Sequence, residues 1–574
     1  MNDEKLEPLK LLVNDLILHK IWTSKKGRQA KMNDEKLEPL KLLVNDRKQQ
    51  TIDKETRMRK LRGSSFSDSL DDVSSSSDDH HDPSIRSCAL HRARNRRLNF
   101  SSNTTRNPDV FVTVIRDIRL PDDDRVKRSL RLPEFGPKIL FFSGGTATKD
   151  LSETLTKYTH NSIHLITPFD SGGSSAELRR AFDMLSIGDI RNRLIALSDK
   201  NYETTMRNNP QIIELFNHRI VKTEEGGSEA SENEFLNILG GKHPLIRAVE
   251  LPMRSILQNS LRWFFDRMPN DFDLRGASIG NLIITGMFLE HNRDIVTAIF
   301  ITSKFLGVKG FCRPLTAANL HIRCLYNDGR EEVGQHLMNG LKSNSNTTDS
   351  NKIVRIDLVK DLYPSTSSSE EERQESQSCH IDRLSAELVS STADLICFPM
   401  GSFFASILVN VLPRGVGRAI VERKCPKIYI PNTGYDPEMS GRTLAECVSL
   451  LIDMIRADPC HTRRLSKQQE EQEEDEDEGD NCQEKEIDLR DVVPVKDILN
   501  FVLLDTINCE YCVPVDKTAI EKLGVVVIDM PLVDYSNNDD NNGNEQYQNN
   551  NNHGSKSMIL DPTKVAEVLL SLSS

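Results

Sequence analysis

Short apolar runs recur along this chain, and glycines with small polar residues directly follow two of them. Residues 138–142 precede the turn 143–146 (SGGT), and residues 162–169 precede the turn 170–175 (DSGGSS). Helical periodicity over 151–158, between the two runs, predicts a strand–helix–strand unit with parallel strands and a right-handed crossover. Both turns are then expected at the carboxyl ends of neighbouring strands, where open α/β sheets bind their ligands.

The rest of the chain continues this alternation of helical and extended patterns. Further helices are predicted at 174–184, 189–198, 211–219, 245–266, 443–458 and 562–572, further strands at 353–359, 393–398, 427–431 and 524–531, and either type at 497–505. The Asn-Asp-Gly sequence at 327–329 predicts a hairpin within 320–335, and residues 400–406 predict a third strand-to-helix turn. We expect an α/β fold, a Rossmann-like doubly wound parallel sheet with additional helices, flanked by disordered segments.

The first turn is suited to a phosphate group. Gly144 and Gly145 let the backbone approach a ligand closely, and Thr146 adds a hydroxyl beside the unpaired amides of a helix start. The sequence matches neither a GxGxxG dinucleotide fingerprint nor a P-loop that ends in Gly-Lys-Ser/Thr. Taken alone, these residues fit equally well a tight turn that binds nothing.

The second turn places a carboxylate, Asp170, before the helix entry formed by Gly172, Gly173 and Ser174. A carboxylate in this position can hold Mg²⁺ or accept a proton from a hydroxyl nucleophile. The structural alternative is that Asp170 only caps the following helix. Asp170 is therefore the candidate metal ligand and the candidate catalytic residue.

Two other segments offer polar groups to the same edge of the sheet. Asp189 and Asn192 lie at the start of the predicted helix 189–198, where polar groups need partners if they are buried, so that binding and capping roles are both open. At the third turn, Gly401 and Ser402 offer amides and a hydroxyl to a second phosphate or carboxylate. Three such turns on one sheet edge favour an anion site more strongly than any single turn does.

Six ordered segments of the chain resemble the motifs of the CofD-like family. They are GGT at 144–146, DSGGSSAELRR at 170–180, GDIRNRLIALSD at 188–199, GASIGNL at 276–282, GFCRPLT at 310–316 and ADLICFPMGSFFAS at 393–406. The resemblance covers roughly residues 137–458, and six blocks in order are far more specific than one motif. This family includes 2-phospho-L-lactate transferase and the YvcK-type gluconeogenesis factors.

The resemblance implies an enzyme that transfers a phospho-carboxylate group from a nucleoside diphosphate-linked donor to a hydroxyl acceptor and releases a nucleoside monophosphate. It implies Asp170 as the metal ligand or base, with Mg²⁺ as cofactor, and nucleotide contacts from Asp189, Asn192 and Asn281. It also implies phosphate or nucleotide contacts from Gly144, Gly145, Thr146, Gly172, Gly173, Ser174, Gly401 and Ser402. The implied partners are a nucleotide-containing small molecule, GDP-linked or of the UDP-sugar type, and a second copy of the chain in a homodimer.

Four sites depart from the family pattern. Ala147 replaces the last glycine of GGTG, Ser171 replaces the second aspartate of a DD pair, Ala277 replaces a histidine, and Pro399 and Met400 stand where the family has Gly-Pro. The loss of a carboxylate and an imidazole weakens a metal or acid–base role more than it weakens nucleotide binding. The alternative function is therefore that of a non-catalytic, nucleotide-sugar-binding metabolic regulator of the YvcK type.

Composition bears on partners and compartment. Charged residues make up 28% of the chain and hydrophobic residues 37%, which predicts sizeable disordered parts. Much of the net charge of −12 comes from the acidic run 470–480, so we expect no nucleic-acid partner. No apolar run approaches 18 residues and no secretory apolar region follows Met1. We therefore expect a cytoplasmic protein without a membrane partner.

The predicted organisation has five parts. They are a largely disordered region 1–134, an α/β domain 135–460 with a flexible loop at about 343–378, an acidic linker 461–490, an extension of the α/β domain at 491–535, and an Asn-rich spacer with a short terminal helix at 536–574. Residues 1–15 recur exactly at 32–46. Exact identity is not typical of folding repeats, which drift and need several copies to bury a core, so this duplication is left out of the fold prediction.

Overall fold

The computed structural model describes residues 117–199, 209–222, 227–338, 352–360, 379–434, 436–461, 493–533 and 559–573. Much of the expected disorder, in 1–116 and 536–558, lies outside these residues, as do 343–351 and 361–378 of the expected flexible loop, 462–490 of the acidic linker and the duplicated segments. Within the region expected to be largely disordered, the described part adds one helix, α1 (Asp123–Arg131).

Ten strands lie in the described residues: β1 (Ile139–Ser143), β2 (Ile163–Ile166), β3 (Phe311–Pro314), β4 (His321–Tyr326), β5 (Glu331–Val333), β6 (Ile353–Val359), β7 (Leu395–Phe398), β8 (Lys427–Tyr429), β9 (Phe501–Leu504) and β10 (Val526–Asp529). Seven of them form one sheet in the order β10-β9-β8-β7-β1-β2-β3, and every neighbouring pair is parallel. The other three form a small antiparallel sheet in the order β5-β4-β6, which contains the predicted hairpin.

The strand order reverses between β1 and β7. From β1 the chain moves outward through β2 to β3, returns to the opposite side of β1 at β7, and then moves outward through β8 and β9 to β10. Leu140 on β1 pairs with Ile396 on β7 at this junction. The predicted doubly wound parallel sheet is confirmed. In such sheets the connections leave in opposite directions at the reversal, which opens a crevice at the carboxyl ends of the two strands.

The central strand β1 shows why these segments form a parallel sheet. All five of its residues are buried, since helices and loops cover both faces of the sheet. Leu140 and Phe142 belong to the apolar cluster on one face, whereas Ile139 and Phe141 belong to the cluster on the other face. A continuous apolar run is therefore what this position requires, rather than an alternating one.

Fifteen further helices follow α1 in the described residues: α2 (Lys149–Leu155), α3 (Gly173–Phe182), α4 (Gly188–Ala196), α5 (Asn209–Asn217), α6 (Gly227–Leu239), α7 (Pro244–Ala248), α8 (Met253–Phe265), α9 (Ile279–Glu290), α10 (Ile295–Phe305), α11 (Gln335–Met338), α12 (Arg383–Glu387), α13 (Val416–Glu422), α14 (Leu444–Arg456), α15 (Lys517–Lys522) and α16 (Pro562–Leu572). Within the described residues, no helix has the length and apolar character needed to cross a lipid bilayer.

Two sequence predictions about helices are wrong in detail. The single helix predicted at 245–266 is divided into α7 and α8, because Pro252 lies immediately before α8 and cannot donate a backbone hydrogen bond to a continuous helix. After the third turn, the chain forms one π-helical segment, Phe403–Ile407, and then a 3₁₀ segment, Leu408–Val411, instead of a regular α-helix. The ambiguous segment 497–505 provides strand β9.

Candidate functional site

The first and third turns touch at the crevice between β1 and β7. A methyl group added to Gly144 would lie 2.6 Å from the Oγ of Ser406, and one added to Gly401 would lie 3.3 Å from the Cβ of Ser406. On the other side, a methyl group on Gly145 would overlap the carboxylate of Asp189. Glycine is needed at 144 and 145 because neighbouring segments approach the backbone this closely.

The second turn reaches the same place through Gly188. A methyl group there would lie 2.7 Å from the Oγ of Ser175 and 3.5 Å from the Oδ2 of Asp170. The other oxygen of Asp170, Oδ1, accepts a hydrogen bond of 2.9 Å from the amide of Gly172, the residue that precedes α3. Asp170 thus braces its own turn with one oxygen and directs the other toward the start of α4.

The negative charge of Asp170 acts on the carboxylate of Asp189. The pKa of Asp189 is raised to about 7, chiefly because burial removes this carboxylate from water and secondly because of the negative charge of Asp170. Arg193 and Arg191 oppose this shift without cancelling it. Near neutral pH, Asp189 is therefore poised between its neutral and charged forms, which is typical of groups that bind cations or move protons.

Arg193, on α4, holds the first turn from inside the protein. Its guanidinium is fully buried and donates hydrogen bonds to the carbonyl oxygens of Thr148 (2.8 Å), Gly144 (3.1 Å) and Gly145 (3.2 Å). Burial lowers its pKa to about 10, so it stays cationic at neutral pH. Because the N–H and C=O of one peptide point in opposite directions, the amides of Gly145 and Thr146 point away from Arg193.

Arg179, on α3, holds the second turn in the same manner. It donates to the carbonyl oxygens of Phe169 (3.3 Å) and Asp170 (3.0 Å), and also to that of Leu320 (2.6 Å) in the connection before β4. Its side chain is buried, and burial lowers its pKa to about 10. Each of the first two turns is therefore fixed by one buried arginine that binds backbone carbonyls.

The start of α9 closes another side of the site. Ser278, and not Asn281, is the residue that precedes this helix, so Asn281 lies in its first turn. The Nδ2 of Asn281 donates to the Oγ of Ser174 (3.2 Å), while its buried Oδ1 has no hydrogen-bond partner among the described residues. Arg191 donates to Ser278 and to the Oδ1 of Asn192 (2.6 Å). Asn192 and Asn281 are thereby attached to the α4 and α3 sides of the crevice.

At the third turn, carboxylates of the protein itself accept hydrogen bonds from the amides that follow Ser402, which the sequence did not indicate. The amide of Phe403 donates to the Oδ2 of Asp436 (2.9 Å). The amides of Phe404 and Ala405 donate to the Oε2 of Glu438 at 2.7 and 2.9 Å. These three amides are therefore not available to a ligand, whereas the contacts predicted for this turn, from Gly401 and Ser402, remain a prediction.

Asp436 and Glu438 form a buried acidic pair in the segment after β8. Burial raises the pKa of Asp436 to about 6, and burial together with the charge of Asp436 raises the pKa of Glu438 to about 8. The Oε1 of Glu438 has no partner within the described residues. A protonated Glu438 at neutral pH keeps Oε2 free to accept both amides.

The predicted site residues differ in their exposure. Thr146 and Gly173 are exposed, Gly144, Asn281 and Gly401 are buried, and the others are partly buried. These others are Gly145, Asp170, Gly172, Ser174, Asp189, Asn192 and Ser402. The contacts described above join most of them at the same edge of the sheet, whereas Thr146, Gly173 and Ser402 are placed there only by their position in the three turns. Thr146 and Gly173, at the tips of the first and second turns, face solvent.

Sequence reasoning missed four residues that shape the site, Arg179, Arg193, Asp436 and Glu438. The two arginines lie inside recognised motifs, but nothing in their spacing distinguishes a buried arginine from an exposed one. The position of Asp436 could have been predicted, because Asp436-Pro437-Glu438 is a typical sequence for the start of a helix. Asp436 does cap the short helix Pro437–Met439.

A cavity of about 810 Å³ lies at the opposite edge of the sheet, and none of its lining residues belongs to the three turns. It is lined by Pro133, Glu134, Asp150, Glu153, Thr154, Thr156, Lys157, His160, Ala196, Ser198, Asp199 and Lys309. Acidic and basic side chains are mixed there, and Lys309 pairs with Asp199 at 3.1 Å. The cavity is thus separate from the crevice at the strand reversal.

Comparison with known proteins gives the chain its relatives. It is 27% identical over 312 residues to a putative gluconeogenesis factor of Nostoc sp., a match that covers 54% of this chain and 50% of the relative. It is 26% identical over 309 residues to the gluconeogenesis factor of Bacillus subtilis, covering 54% of this chain and 70% of the relative. The chain thus spans about half the length of the Nostoc relative.

A solved structure is also similar, a member of the UPF0052 family from Bacillus halodurans with 21% identity and a TM-score of 0.47, which covers 76% of this chain and 99% of that one. The profile of the family described as 2-phospho-L-lactate transferase CofD matches residues 139–497. This match covers more than half of the chain and includes all three turns. The chain therefore belongs to the CofD family.

Proposed function

We propose that this protein binds a nucleoside diphosphate-linked metabolite in the crevice between β1 and β7 and acts as a ligand-responsive regulator, as the names of its gluconeogenesis-factor relatives suggest. The observation that carries the proposal is the first turn. Arg193 draws the carbonyls of Gly144 and Gly145 inward, so the next two amides face outward beside an exposed Thr146. An arrangement of outward amides and a hydroxyl suits one phosphate group.

Binding without transfer is favoured because the site has few available groups to neutralise the charge that develops during group transfer. Phosphoryl chemistry depends on several donors that neutralise charge as it develops on the transferred and leaving groups. Here the amides of 403–405 are already bound to Asp436 and Glu438. Ser171 and Ala277 stand where the family pattern has an aspartate and a histidine. The single phosphate position at the first turn is sufficient to bind a diphosphate-linked ligand, but it provides few donors to stabilise the transition state of group transfer.

Group transfer is the second candidate, and the facing carboxylates of Asp170 and Asp189 favour it. Two carboxylates with ligand phosphate oxygens form the kind of oxygen set that Mg²⁺ prefers. A cation would favour the charged form of Asp189, whose pKa is raised by burial and secondly by the charge of Asp170. The bound Mg²⁺ would supply charge neutralisation at the phosphates. The one oxygen of Asp170 that does not contact Gly172 would either bind this ion or accept the proton of the acceptor hydroxyl.

Two measurements test these functions in one protein preparation. Thermal unfolding with GDP, GTP and UDP-sugars, each with and without Mg²⁺, tests binding, because a ligand at 100 times its Kd adds about 2.7 kcal/mol of stability. Release of nucleoside monophosphate in the presence of hydroxy-acid and other hydroxyl acceptors tests transfer. We expect a shift with at least one diphosphate-linked ligand and no release of monophosphate.

Matched variants make the result specific to the crevice. Asp189→Asn changes a group at the first turn, whereas Asp271→Asn changes an exposed partner of Arg180 that makes no contact with the turns. We expect Asp189→Asn to alter the ligand-induced shift and Asp271→Asn to leave it unchanged. If no nucleotide shifts the unfolding of the wild-type chain, both functions are excluded. If monophosphate is released and Asp170→Asn abolishes the release, transfer replaces binding as the function.

A further inference from the structure

A group of three side chains lies outside the crevice, among helices that the proposed function does not use. His218 directly follows α5, Glu234 lies within α6, and His243 is the residue that precedes α7. One donor atom from each residue lies within 4.8 Å of the donor atoms of the other two. Their side chains are 26%, 13% and 22% exposed, in that order, so solvent ions can reach the group.

The distances within the group approach those of a metal site. The Nε2 of His218 lies 2.7 Å from the Oε1 of Glu234, and the Nε2 of His243 lies 3.9 Å from the same oxygen. Ligands of one tetrahedral Zn²⁺ lie roughly 3.4 Å apart, because each is about 2.0–2.2 Å from the ion. Side-chain rotations that move each donor atom by roughly 1 Å would therefore bring all three to one ion.

The carboxylate is already oriented as a ligand of such a site would be. The second oxygen of Glu234, Oε2, accepts a hydrogen bond of 2.8 Å from the amide of Val221. This contact fixes the carboxylate plane and leaves Oε1 directed at both imidazoles. Hydrogen bonds of this kind from outside the ligand set orient metal ligands in known sites.

We propose that His218, Glu234 and His243 form a binding site for one divalent metal ion of the Zn²⁺ type. Two imidazoles and one carboxylate match Zn²⁺, whereas Mg²⁺ and Ca²⁺ prefer oxygen-only sets. Three protein ligands leave a fourth position for water or an external ligand. The site is independent of the proposed nucleotide function.

Metal binding would break one hydrogen bond, the one that caps the start of α7. The Nδ1 of His243 accepts a contact of 3.3 Å from the amide of Leu245 at the start of α7. A histidine bound through Nε2 carries its proton on Nδ1, so this cap is lost when the metal binds. The contact is long, and its loss reduces the affinity without preventing binding.

The bound ion would link helices α5, α6 and α7, which lie next to the crevice. His218 accepts a backbone hydrogen bond of 3.0 Å from Ile279, the first residue of α9, and its neighbour Arg219 forms a β-bridge with Ser278. The ion would therefore connect α5, α6 and α7 at a point that contacts the start of α9. No residue of the three turns belongs to the ligand set, so the ion would bind outside the crevice.

The test uses the untagged full-length chain, stripped of metal with EDTA and then dialysed. Zn²⁺ is titrated in competition with a chromophoric chelator, and Co²⁺ is titrated as a spectroscopic probe of four-coordinate geometry. We expect one tight equivalent of Zn²⁺ per chain, an intense Co²⁺ visible spectrum, and no competition from millimolar Mg²⁺. His218→Gln, His243→Gln and Glu234→Gln should each weaken this Zn²⁺ equivalent at least tenfold.

The control is His291→Gln, a partly buried histidine at the end of α9 whose Nδ1 contacts the carbonyl of Met287 at 2.8 Å. It should bind Zn²⁺ as the wild type does. Glu234→Gln keeps an oxygen for the amide of Val221, so it should fold, and thermal unfolding in EDTA checks that it does. Absence of a tight equivalent, or a tight equivalent that survives all three ligand substitutions, overturns the proposal.

Discussion

The carboxylate of Asp189 lies directly against the backbone of Gly145, with no room between them for a Cβ atom. This contact joins the first helix residues of α4 to the turn after β1. It also explains why a glycine is required at 145, where the backbone conformation by itself does not demand one. The position of the first turn and the charge state of Asp189 are thereby linked.

Gly145→Ala should lower the free energy of unfolding by about 1–3 kcal/mol, because the added methyl group collides with Asp189 and displaces the turn. The same substitution made in an Asp189→Ser background should cost much less, since the colliding carboxylate is gone. Urea unfolding of the four chains of this double-mutant cycle measures the coupling. Equal costs in both backgrounds would contradict the contact.

Asp189→Asn should stabilise the protein at pH 8 and have little effect near pH 4. The folded-state pKa of Asp189, about 7, is above its ordinary value of 3.8, so the folded state holds a proton that the unfolded state releases. Wild-type stability therefore falls as the pH rises from about 4 to about 7, and it levels off above that pH.

The asparagine variant does not titrate, so its free energy of unfolding does not fall in this way. The difference in free energy of unfolding between the two proteins should therefore grow across the same pH range and reach about 2 kcal/mol. This value allows for solvent at the exposed part of the side chain, which weakens the electrostatic contribution. Urea unfolding at several pH values measures it. A difference that does not vary with pH would show that Asp189 titrates normally.

Arg193→Lys should destabilise the protein by about 2–4 kcal/mol and weaken ligand binding at the first turn. A lysine cannot reproduce the planar set of donors that reaches the carbonyls of Thr148, Gly144 and Gly145. Arg180→Lys is the matched control on the neighbouring helix, because its ion pairs with Glu177 and Asp271 are exposed. Thermal unfolding should separate the two variants clearly, and a similar effect of both would argue against the role of Arg193.

Glu438→Ala should cost about 2–4 kcal/mol, because the buried amides of Phe404 and Ala405 lose their acceptor. Glu438→Gln keeps an acceptor oxygen and should be close to wild type at pH 7, where a pKa of about 8 leaves most of the glutamate neutral. Chemical unfolding of the two variants side by side makes the comparison. If Glu438→Gln is as damaging as Glu438→Ala, the glutamate acts through its charge.

The sheet could be predicted from the sequence because buried parallel strands are continuous apolar runs, and three of them here, β1, β2 and β7, lead into turns that contain glycine. β1 (Ile139–Ser143) lies within one residue of its predicted position, and α16 (Pro562–Leu572) matches its predicted range. The division of 245–266 was visible as Pro252 but was outweighed by strong apolar periodicity. The local pattern of apolar residues therefore predicted strands and helices correctly where no other local feature, such as a proline, contradicted it.

The site was only partly predictable, since its decisive contacts join distant segments. Thirty-three or 34 residues separate Phe403, Phe404 and Ala405 from the carboxylates that bind their amides. Arg193 is about 50 residues from the turn that it holds. Such pairings depend on how the strands are ordered, and neither spacing nor residue type reveals them.

The adjacency of β1 and β7 also determines when this site can exist. Leu140 and Ile396 are neighbours in space, but more than 250 residues of chain separate them. Contacts of such high sequence separation carry a large loop-closure cost and form late in folding. During synthesis, the first two turns emerge long before their partner at Ser406, so a nascent chain exposes half of the crevice until the second half has been translated.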